Sequence, residues 1–297
     1  MELPQQQIKL LAIDIDGTLL NPQKQLTPRT LAAVRAAQEA GIIVTLATAR
    51  RYRNSLQFAH ALGIDIPLVT CDGALVIHHP DGTVMHTRPL AASIAQEAVS
   101  IMVRHHVQPV VQHINGSIEE TWTGHEEFDT PGFTAYFTVF PENVRRMHHT
   151  ALCMGQPDPL RVVAFASDEQ VAGLIPEISN LPCTWDAVKF GNYGCAELAV
   201  THQDCSKASG VLALARYLDI PLEQVMAIGD GTNDIAMLRA VGWGVAMGQA
   251  AHPVKAVAQA VTASNAEDGA ALAIERYALR CASTQADSNS RKRATCR

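Results

Sequence analysis

The chain has 297 residues, of which 47% are hydrophobic, and it carries a formal net charge of -6. This length allows one large domain or two around a sizeable core, and the negative charge argues against binding nucleic acid through a general positive field. Because no apolar run of about 18 residues exists and the N-terminus lacks a basic region followed by an apolar one, we expect a cytoplasmic protein without a membrane span or a signal peptide.

The first predicted element is a strand over residues 8–13, which are almost continuously apolar and therefore typical of a strand buried on both faces of a parallel sheet. Asp14, Asp16 and Gly17 follow where that strand should end. Ligands of open α/β sheets bind beyond the carboxyl ends of the strands, and backbone amides in the following turn can face an anion. Two acids and such amides suit a metal-bound phosphate, although an Asp-Gly turn in a hairpin would have the same sequence.

Helix-like and strand-like segments then alternate, with helices over residues 28–40 and 53–62 and strands over 42–47 and 68–70. This order predicts βαβ units in a parallel sheet. Thr48 follows the second strand and would offer a hydroxyl donor at the same sheet edge, although by itself it would more often be an ordinary helix-start residue.

The pattern changes after residue 73, where two short apolar segments flank a Pro-Asp-Gly turn and predict a hairpin that leaves the core. Mixed helices and strands follow, which indicates an inserted α+β cap. Its aromatic-rich segment, residues 113–140, could either close over a substrate or form the small core of the cap. The predicted domains are a discontinuous core (residues 1–85 and 191–280), the cap (residues 86–190) and a polar, disordered tail (residues 281–297).

The chain is predicted to return to the core with a strand over residues 197–200, followed by a helix that begins near Lys207. A further apolar strand ends before Asp230, and Asp234 opens the next helix. With the two acids near the N-terminus, four carboxylates should converge on one sheet edge, where either some of their pKa values rise or a divalent cation neutralises them. Ligands that are all oxygen favour Mg²⁺. Lys207 could bring an ammonium to a bound anion, although alone it would more often be a solvated surface charge.

The order of these motifs resembles that of the haloacid dehalogenase superfamily of phosphotransferases: Asp-x-Asp-Gly-Thr, a Thr after the second strand, a Lys, and Gly-Asp-Gly-x-Asn-Asp. The similarity spans nearly the whole chain and is greatest to the Cof-type phosphatases. It implies a Rossmann-like doubly wound parallel core with an inserted α+β cap. Three residues depart from the family pattern, namely Ala49 and Ala208 in place of Gly and Asp72 where Asn is common.

The resemblance implies an Mg²⁺-dependent phosphatase that forms an aspartyl-phosphate intermediate. Asp14 would be the nucleophile and Asp16 the general acid and base. Thr48 and Lys207 complete the implied catalytic set. The implied phosphate-binding residues are Gly17, Thr48, Lys207 and Asn233, and the implied metal ligands are Asp14, Asp16 through its backbone carbonyl, Asp230 and Asp234.

The expected partner is a small phosphorylated metabolite, for example a sugar phosphate, a nucleotide or flavin monophosphate, or pyridoxal phosphate. The sequence does not choose among these and does not determine the oligomeric state. Two alternatives to hydrolysis are open. A phosphomutase would use the same aspartyl-phosphate but pass the phosphoryl group to a second substrate hydroxyl, and a non-catalytic binding protein would keep the fold without the chemistry.

Overall fold

A computed structural model describes residues 3–189 and 194–279 of the chain. The chain divides into two compact units, the first containing the residues up to Asp81 and from Ser206 onward, and the second containing Gly82–Cys205. The predicted disordered tail, residues 281–297, lies outside the described residues.

The described residues form an alternation of strands and helices whose bounds are as follows. The strands are β1 (Leu10–Ile13), β2 (Ile43–Leu46), β3 (Leu68–Thr70), β4 (Leu75–Ile77), β5 (Val84–Thr87), β6 (Pro109–Asn115), β7 (Ile118–Thr123), β8 (Val144–Arg146), β9 (Arg161–Ala166), β10 (Cys183–Val188), β11 (Ala196–His202), β12 (Val225–Gly229), β13 (Trp243–Ala246) and β14 (Ala260–Val261). The α-helices are α1 (Pro28–Glu39), α2 (Tyr52–Leu62), α3 (Ala92–Arg104), α4 (Pro131–Val139), α5 (Asp168–Ile178), α6 (Lys207–Tyr217), α7 (Ile235–Ala240), α8 (His252–Lys255) and α9 (Gly269–Ala273).

The first unit is built on a parallel sheet with the strand order β14-β13-β12-β1-β2. Strand β1 is an interior strand that pairs with β12 on one side and β2 on the other, and all of its residues are buried. Helix α1 packs against β2 and α9, whereas α6 packs against α7 and β3. The predicted parallel α/β core is therefore confirmed. Beyond β2 the sheet continues only as one parallel bridge between Ala47 and Val69, since β3 forms an antiparallel ladder with β4.

The second unit is an α+β fold around one sheet with the strand order β10-β11-β9-β6-β7-β8, antiparallel except for the pair β7 and β8. Neighbouring residues of β6 point to opposite faces, and Val110 and Val111 accordingly belong to different apolar clusters. Helices α3 and α5 contribute to the cluster of Val111. Phe133 and Tyr136 of α4 pack in the cluster of Val110, where Tyr136 stacks on Phe165 at a centroid distance of 3.9 Å. These two aromatic residues thus form part of the core of the second unit.

One predicted core strand was wrong. The strand over residues 197–200 was expected in the core, but β11 lies between β9 and β10 in the sheet of the second unit. Leu198, for example, pairs with Ala164 on one side and Ala187 on the other. An apolar run predicts a buried strand but does not specify its partners, so the pattern fits either sheet equally. The chain enters the first unit again at Ser206.

A tight turn after β3 brings the end of that strand against the start of α6. Cys71, Asp72 and Gly73 all have left-handed backbone conformations, with φ of 50°, 54° and 87°. A side chain at Gly73 would collide with the backbone carbonyl of Ser206 and would lie 3.2 Å from the amide nitrogen of Gly210. Glycine therefore permits both the positive φ and the close approach of two backbone segments.

Gly73→Ala should lower the free energy of unfolding by roughly 3 kcal/mol. Placing alanine in the left-handed conformation costs about 1–2 kcal/mol, and the clash of its Cβ with the backbone of Ser206 adds to this cost. Gly41→Ala is the matched control, since Gly41 has a φ of 81° but nothing lies within 4 Å of an added Cβ. That control should lose only about 1 kcal/mol. Urea unfolding of both variants measures the difference, and equal losses would show that the contact with Ser206 carries no cost.

Candidate active site

The acids at the ends of β1 and β12 meet because the two strands are parallel neighbours. Ile13 is paired in register with Ile228, and the amide of Asp14 donates to the carbonyl of Ile228 at 3.0 Å. Asp14 follows β1 directly and Asp230 follows β12, so both stand at the carboxyl edge of the sheet. This edge is where open α/β sheets bind their ligands.

The turn after β1 packs closely against Asp230. Gly17 has a φ of 81°, and a Cβ at this position would overlap the Asp230 carboxylate. The Thr18 hydroxyl donates to Oδ1 of Asp230 at 2.9 Å. The Gln249 amide donates to the carbonyl of Gly17 at 2.6 Å and to Oδ2 of Asp230 at 3.4 Å. Gly17, predicted to bind phosphate, is thus required sterically for the loop to approach the acid.

Lys207 lies between two carboxylates in the interior of the first unit. Its ammonium donates to Oδ1 of Asp14 and to Oδ1 of Asp234, each at 2.7 Å. Ser206 caps α6 by accepting the amide of Ser209 at 3.1 Å, which places Lys207 in the first turn. Burial is the largest single effect and lowers the pKa of Lys207, but the charges of Asp14, Asp234 and Asp72 and the hydrogen bond to Asp14 together raise it above its ordinary value. The lysine therefore stays charged.

Asp234 shapes the loop after β12 as well as pairing with Lys207. Its second oxygen, Oδ2, accepts the backbone amides of Asp230 and Gly231, each at 2.9 Å. The side-chain amide of the neighbouring Asn233 donates to Oδ1 of Asp72 at 2.9 Å. The two predicted site residues of this loop therefore have different partners.

The acidic cluster contains more negative charge than Lys207 balances. Burial, followed by repulsion from Asp234 and Asp230, raises the pKa of Asp14 well above its usual range, although Lys207 opposes the shift. Burial and the charge of Asp234 raise the pKa of Asp230 to about 6. An additional cation would relieve this repulsion.

The donor set is suited to a divalent cation. One carboxylate oxygen from each of Asp14, Asp230 and Asp234 lies within 4.8 Å of the others. All are hard oxygen donors, and burial followed by repulsion within the cluster raises the pKa of Asp14 and Asp230. The residues present therefore fit the metal site predicted from the sequence. The side chain of Asp16 lies apart from this group.

Asp16 is instead held by Arg50, a contact that the sequence analysis did not identify. Nε and Nη2 of Arg50 donate to the two carboxylate oxygens of Asp16, each at 2.6 Å. The guanidinium lies over the ring of Phe58 at 5.1 Å from its centroid. The available signal was the position of Arg50, two residues after Thr48 and therefore at the same sheet edge as the acids.

Thr48 is buried at the end of β2, next to β1. Its hydroxyl accepts the amide of Arg50 at 3.1 Å, and its own amide donates to the carbonyl of Val69 at 2.9 Å. Its carbonyl accepts the amide of Asp72 at 3.1 Å. All of the predicted site residues therefore lie in the first unit, on loops that follow adjacent strands or at the start of α6.

A buried lysine among carboxylates thus stands at the edge of a parallel sheet, where open α/β folds bind their ligands and where a fixed positive charge can stabilise an anion. Residues 11–274 match the model of the haloacid dehalogenase-like hydrolases, so the chain belongs to this family. The predicted superfamily, the Cof-type resemblance and the hydrolase class are thereby confirmed.

Two curated relatives and one solved structure illustrate the similarity. The chain is 27% identical to 5-amino-6-(5-phospho-D-ribitylamino)uracil phosphatase YitU of Bacillus subtilis (strain 168), over 90% of this chain and 97% of the relative. It is 28% identical to pyridoxal phosphate phosphatase YbhA of Escherichia coli (strain K12), over 89% and 96%. A haloacid dehalogenase-like hydrolase from Bacteroides thetaiotaomicron shares the fold with a TM-score of 0.74 and 24% identity, over 91% and 99%. Among the residues described, no helix is both long and apolar enough to cross a membrane.

The raised pKa of Asp230 predicts how the stability of the metal-free protein depends on pH. The folded state binds this proton more tightly, with a pKa of about 6 against an ordinary 3.8, so protonation stabilises the fold. That contribution is complete below the ordinary pKa and is lost as pH rises toward 6; Asp14 shifts in the same direction.

Urea unfolding of the wild type in chelator should therefore show a free energy of unfolding that falls between pH 4 and pH 6 relative to Asp230→Asn. Asp230→Asn removes the titrating group but keeps a side chain of the same size. If the two proteins had parallel pH profiles, the proton-binding role of Asp230 would be excluded.

Proposed function

We propose that this enzyme, a hydrolase of phosphomonoesters, is an Mg²⁺-dependent phosphatase that acts through an aspartyl-phosphate formed on Asp14. The observation that carries the proposal is the buried ammonium of Lys207 at 2.7 Å from both Asp14 and Asp234. It places a fixed positive charge beside a buried carboxylate at the ligand-binding edge of the sheet. That combination supports attack on a phosphoryl group and stabilisation of its charge.

Asp14 would supply the nucleophile. One of its oxygens forms a bond to phosphorus in line with the ester oxygen, whose bond to phosphorus breaks. Lys207 supports this step because it favours the charged form of Asp14 against the effect of burial. Water then attacks phosphorus, the bond to Asp14 breaks, and inorganic phosphate leaves with the carboxylate restored.

Asp16 would move the protons of both steps. Protonated Asp16 gives its proton to the departing ester oxygen, and the resulting carboxylate takes a proton from the attacking water. Arg50 fixes the plane of the carboxylate through two hydrogen bonds of 2.6 Å. Both carboxylate oxygens accept in this contact, so one of them must leave Arg50 before it can carry the proton. A bidentate arginine pair limits rotation of the acid and keeps it at the sheet edge.

The remaining predicted residues would bind the phosphoryl oxygens and the metal. Lys207, Thr48, Asn233 and the loop at Gly17 offer donors, and fixed donors stabilise the charge that spreads over these oxygens in the transition state. Asp14, Asp230, Asp234 and the backbone carbonyl of Asp16 would hold Mg²⁺. When bound, Mg²⁺ would supply positive charge that neutralises the acids and the phosphoryl group.

The substrate proposed is a small phosphorylated metabolite. One relative is a phosphatase of 5-amino-6-(5-phospho-D-ribitylamino)uracil and another of pyridoxal phosphate, as their names state. In both substrates the phosphate ester is carried by a small organic molecule. A panel of such small phosphomonoesters, including these two substrates, therefore forms the first test.

Phosphate release from this panel with Mg²⁺ should be lost in Asp14→Asn by a factor on the order of 10³ or more, since the amide is a poor nucleophile. Asp65→Asn is the matched control because Asp65 is exposed in the same unit, and it should keep wild-type activity. Excess chelator should abolish release from the wild type. Full turnover in chelator would exclude the metal assignment, and transfer of the phosphoryl group to a second hydroxyl without release would indicate a phosphomutase.

Arg50→Lys should lower kcat by about tenfold with little change in KM, because an ammonium cannot form the two-point contact that orients Asp16. Steady-state phosphate release measures both constants. Arg35→Lys is the control, since Arg35 is exposed on α1. A rise in KM with unchanged kcat would instead mean that Arg50 binds the substrate and does not position the acid.

A further inference from the structure

Asp72 contacts both loops that carry the predicted phosphate donors. The residue is 8% exposed, and its backbone has a φ of 54° in the turn after β3. Oδ1 accepts the side-chain amide of Asn233 at 2.9 Å, and its backbone amide donates to the carbonyl of Thr48 at 3.1 Å. One buried residue thus connects the loop after β2 with the loop after β12.

We infer that Asp72 determines which phosphomonoesters the site accepts: it fixes the donor end of Asn233 and disfavours esters with a second anionic group near the phosphate. The inference rests on the proposed phosphatase function. It assigns Asp72 a positioning role through Asn233 and a specificity role through its own charge.

The positioning role follows from hydrogen-bond chemistry. A carboxylate accepts hydrogen bonds but does not donate them, so only the NH₂ end of Asn233 can face Asp72. The amide oxygen of Asn233 is consequently directed to the backbone at Gly231, where a Cβ would lie 2.6 Å from it. One N–H of Asn233 is used by Asp72, and the second N–H of the same fixed NH₂ group is the one that would donate to a phosphoryl oxygen.

The specificity role follows from the charges that surround the site. The Asp72 carboxylate lies at 2.9 Å from the side chain of Asn233, the residue before Asp234, so its charge stands beside the proposed phosphoryl donors. Lys207 already balances two carboxylates at 2.7 Å. Each further anionic group brought in by a substrate meets this additional negative charge in a region of low dielectric, where repulsion is less screened than in water.

Three esters of nearly equal size separate the effect of charge from that of shape. Phosphoethanolamine, 2-hydroxyethyl phosphate and phosphoglycolate place a cationic, neutral or anionic group two carbons from the ester oxygen. Their binding can be measured by calorimetry in the Asp14→Asn background with Mg²⁺, where turnover is prevented. Adding Asp72→Asn removes the charge but keeps an oxygen that can accept from Asn233 and a residue that tolerates positive φ.

We expect Asp72→Asn to strengthen the binding of phosphoglycolate relative to 2-hydroxyethyl phosphate by roughly three- to tenfold, which is the effect of removing one partly screened charge. The same substitution should weaken the binding of phosphoethanolamine relative to 2-hydroxyethyl phosphate. Asp65→Asn in the same background controls for net charge and should leave both ratios unchanged. Unchanged ratios in Asp72→Asn would overturn the specificity role.

Turnover of the best substrate tests the positioning role. Asp72→Gly removes the acceptor while allowing the left-handed backbone, and it should lower kcat by about tenfold. In an Asn233→Ala background the same change should cost less than about twofold, because Asp72 acts through the residue already removed. An equal loss in both backgrounds would assign Asp72 a structural role only.

The two levels of the proposal fail in different ways. If the wild type bound and hydrolysed none of the esters in either panel, the proposed phosphatase function would fail and the inference with it. If hydrolysis depended on Asp14 but the Asp72 substitutions changed neither the binding ratios nor kcat, the inference alone would be overturned.

Discussion

The site depends on the buried contact of Lys207 with Asp14 and Asp234. These residues come from α6 and from the loops after β1 and β12, which are far apart in the sequence, and each N···O distance is 2.7 Å. Placing charges in the protein interior is costly unless each is paired, so the three segments are constrained to meet at one point. Removing either kind of charge would leave the other buried without compensation, at a cost of roughly 3–5 kcal/mol.

Two glycines allow the backbone segments around this contact to approach each other closely. Gly17 and Gly73 both have positive φ, and at both positions a Cβ would collide with a neighbouring segment. The first glycine lets the loop after β1 approach Asp230, and the second lets the end of β3 approach the first turn of α6. The glycines and the charge pairs therefore act together. Close approach of the backbone segments allows the short contacts of Lys207 with the acids, and those contacts offset the cost of desolvating the acids.

The parts of the site that could be predicted are those fixed by strand direction. Apolar runs predicted β1 and β12, and parallel pairing then placed Asp14 and Asp230 at one edge. The contacts of Asp16 with Arg50 and of Asn233 with Asp72 depend on turn geometry and side-chain direction, which apolar patterns do not encode. The assignment of β11 to the core failed for a related reason, since an apolar strand does not identify its partner strands.

All predicted site residues lie in the first unit. They lie on loops of a parallel sheet whose strands are buried and constrained by packing. Loops tolerate substitution better than the strands that position them, so the charge of the site can change at a position such as Asp72 without altering the fold. Under the proposed function, substrate preference would diverge within this unit through a single carboxylate, while Asp14 and Lys207 kept their proposed roles.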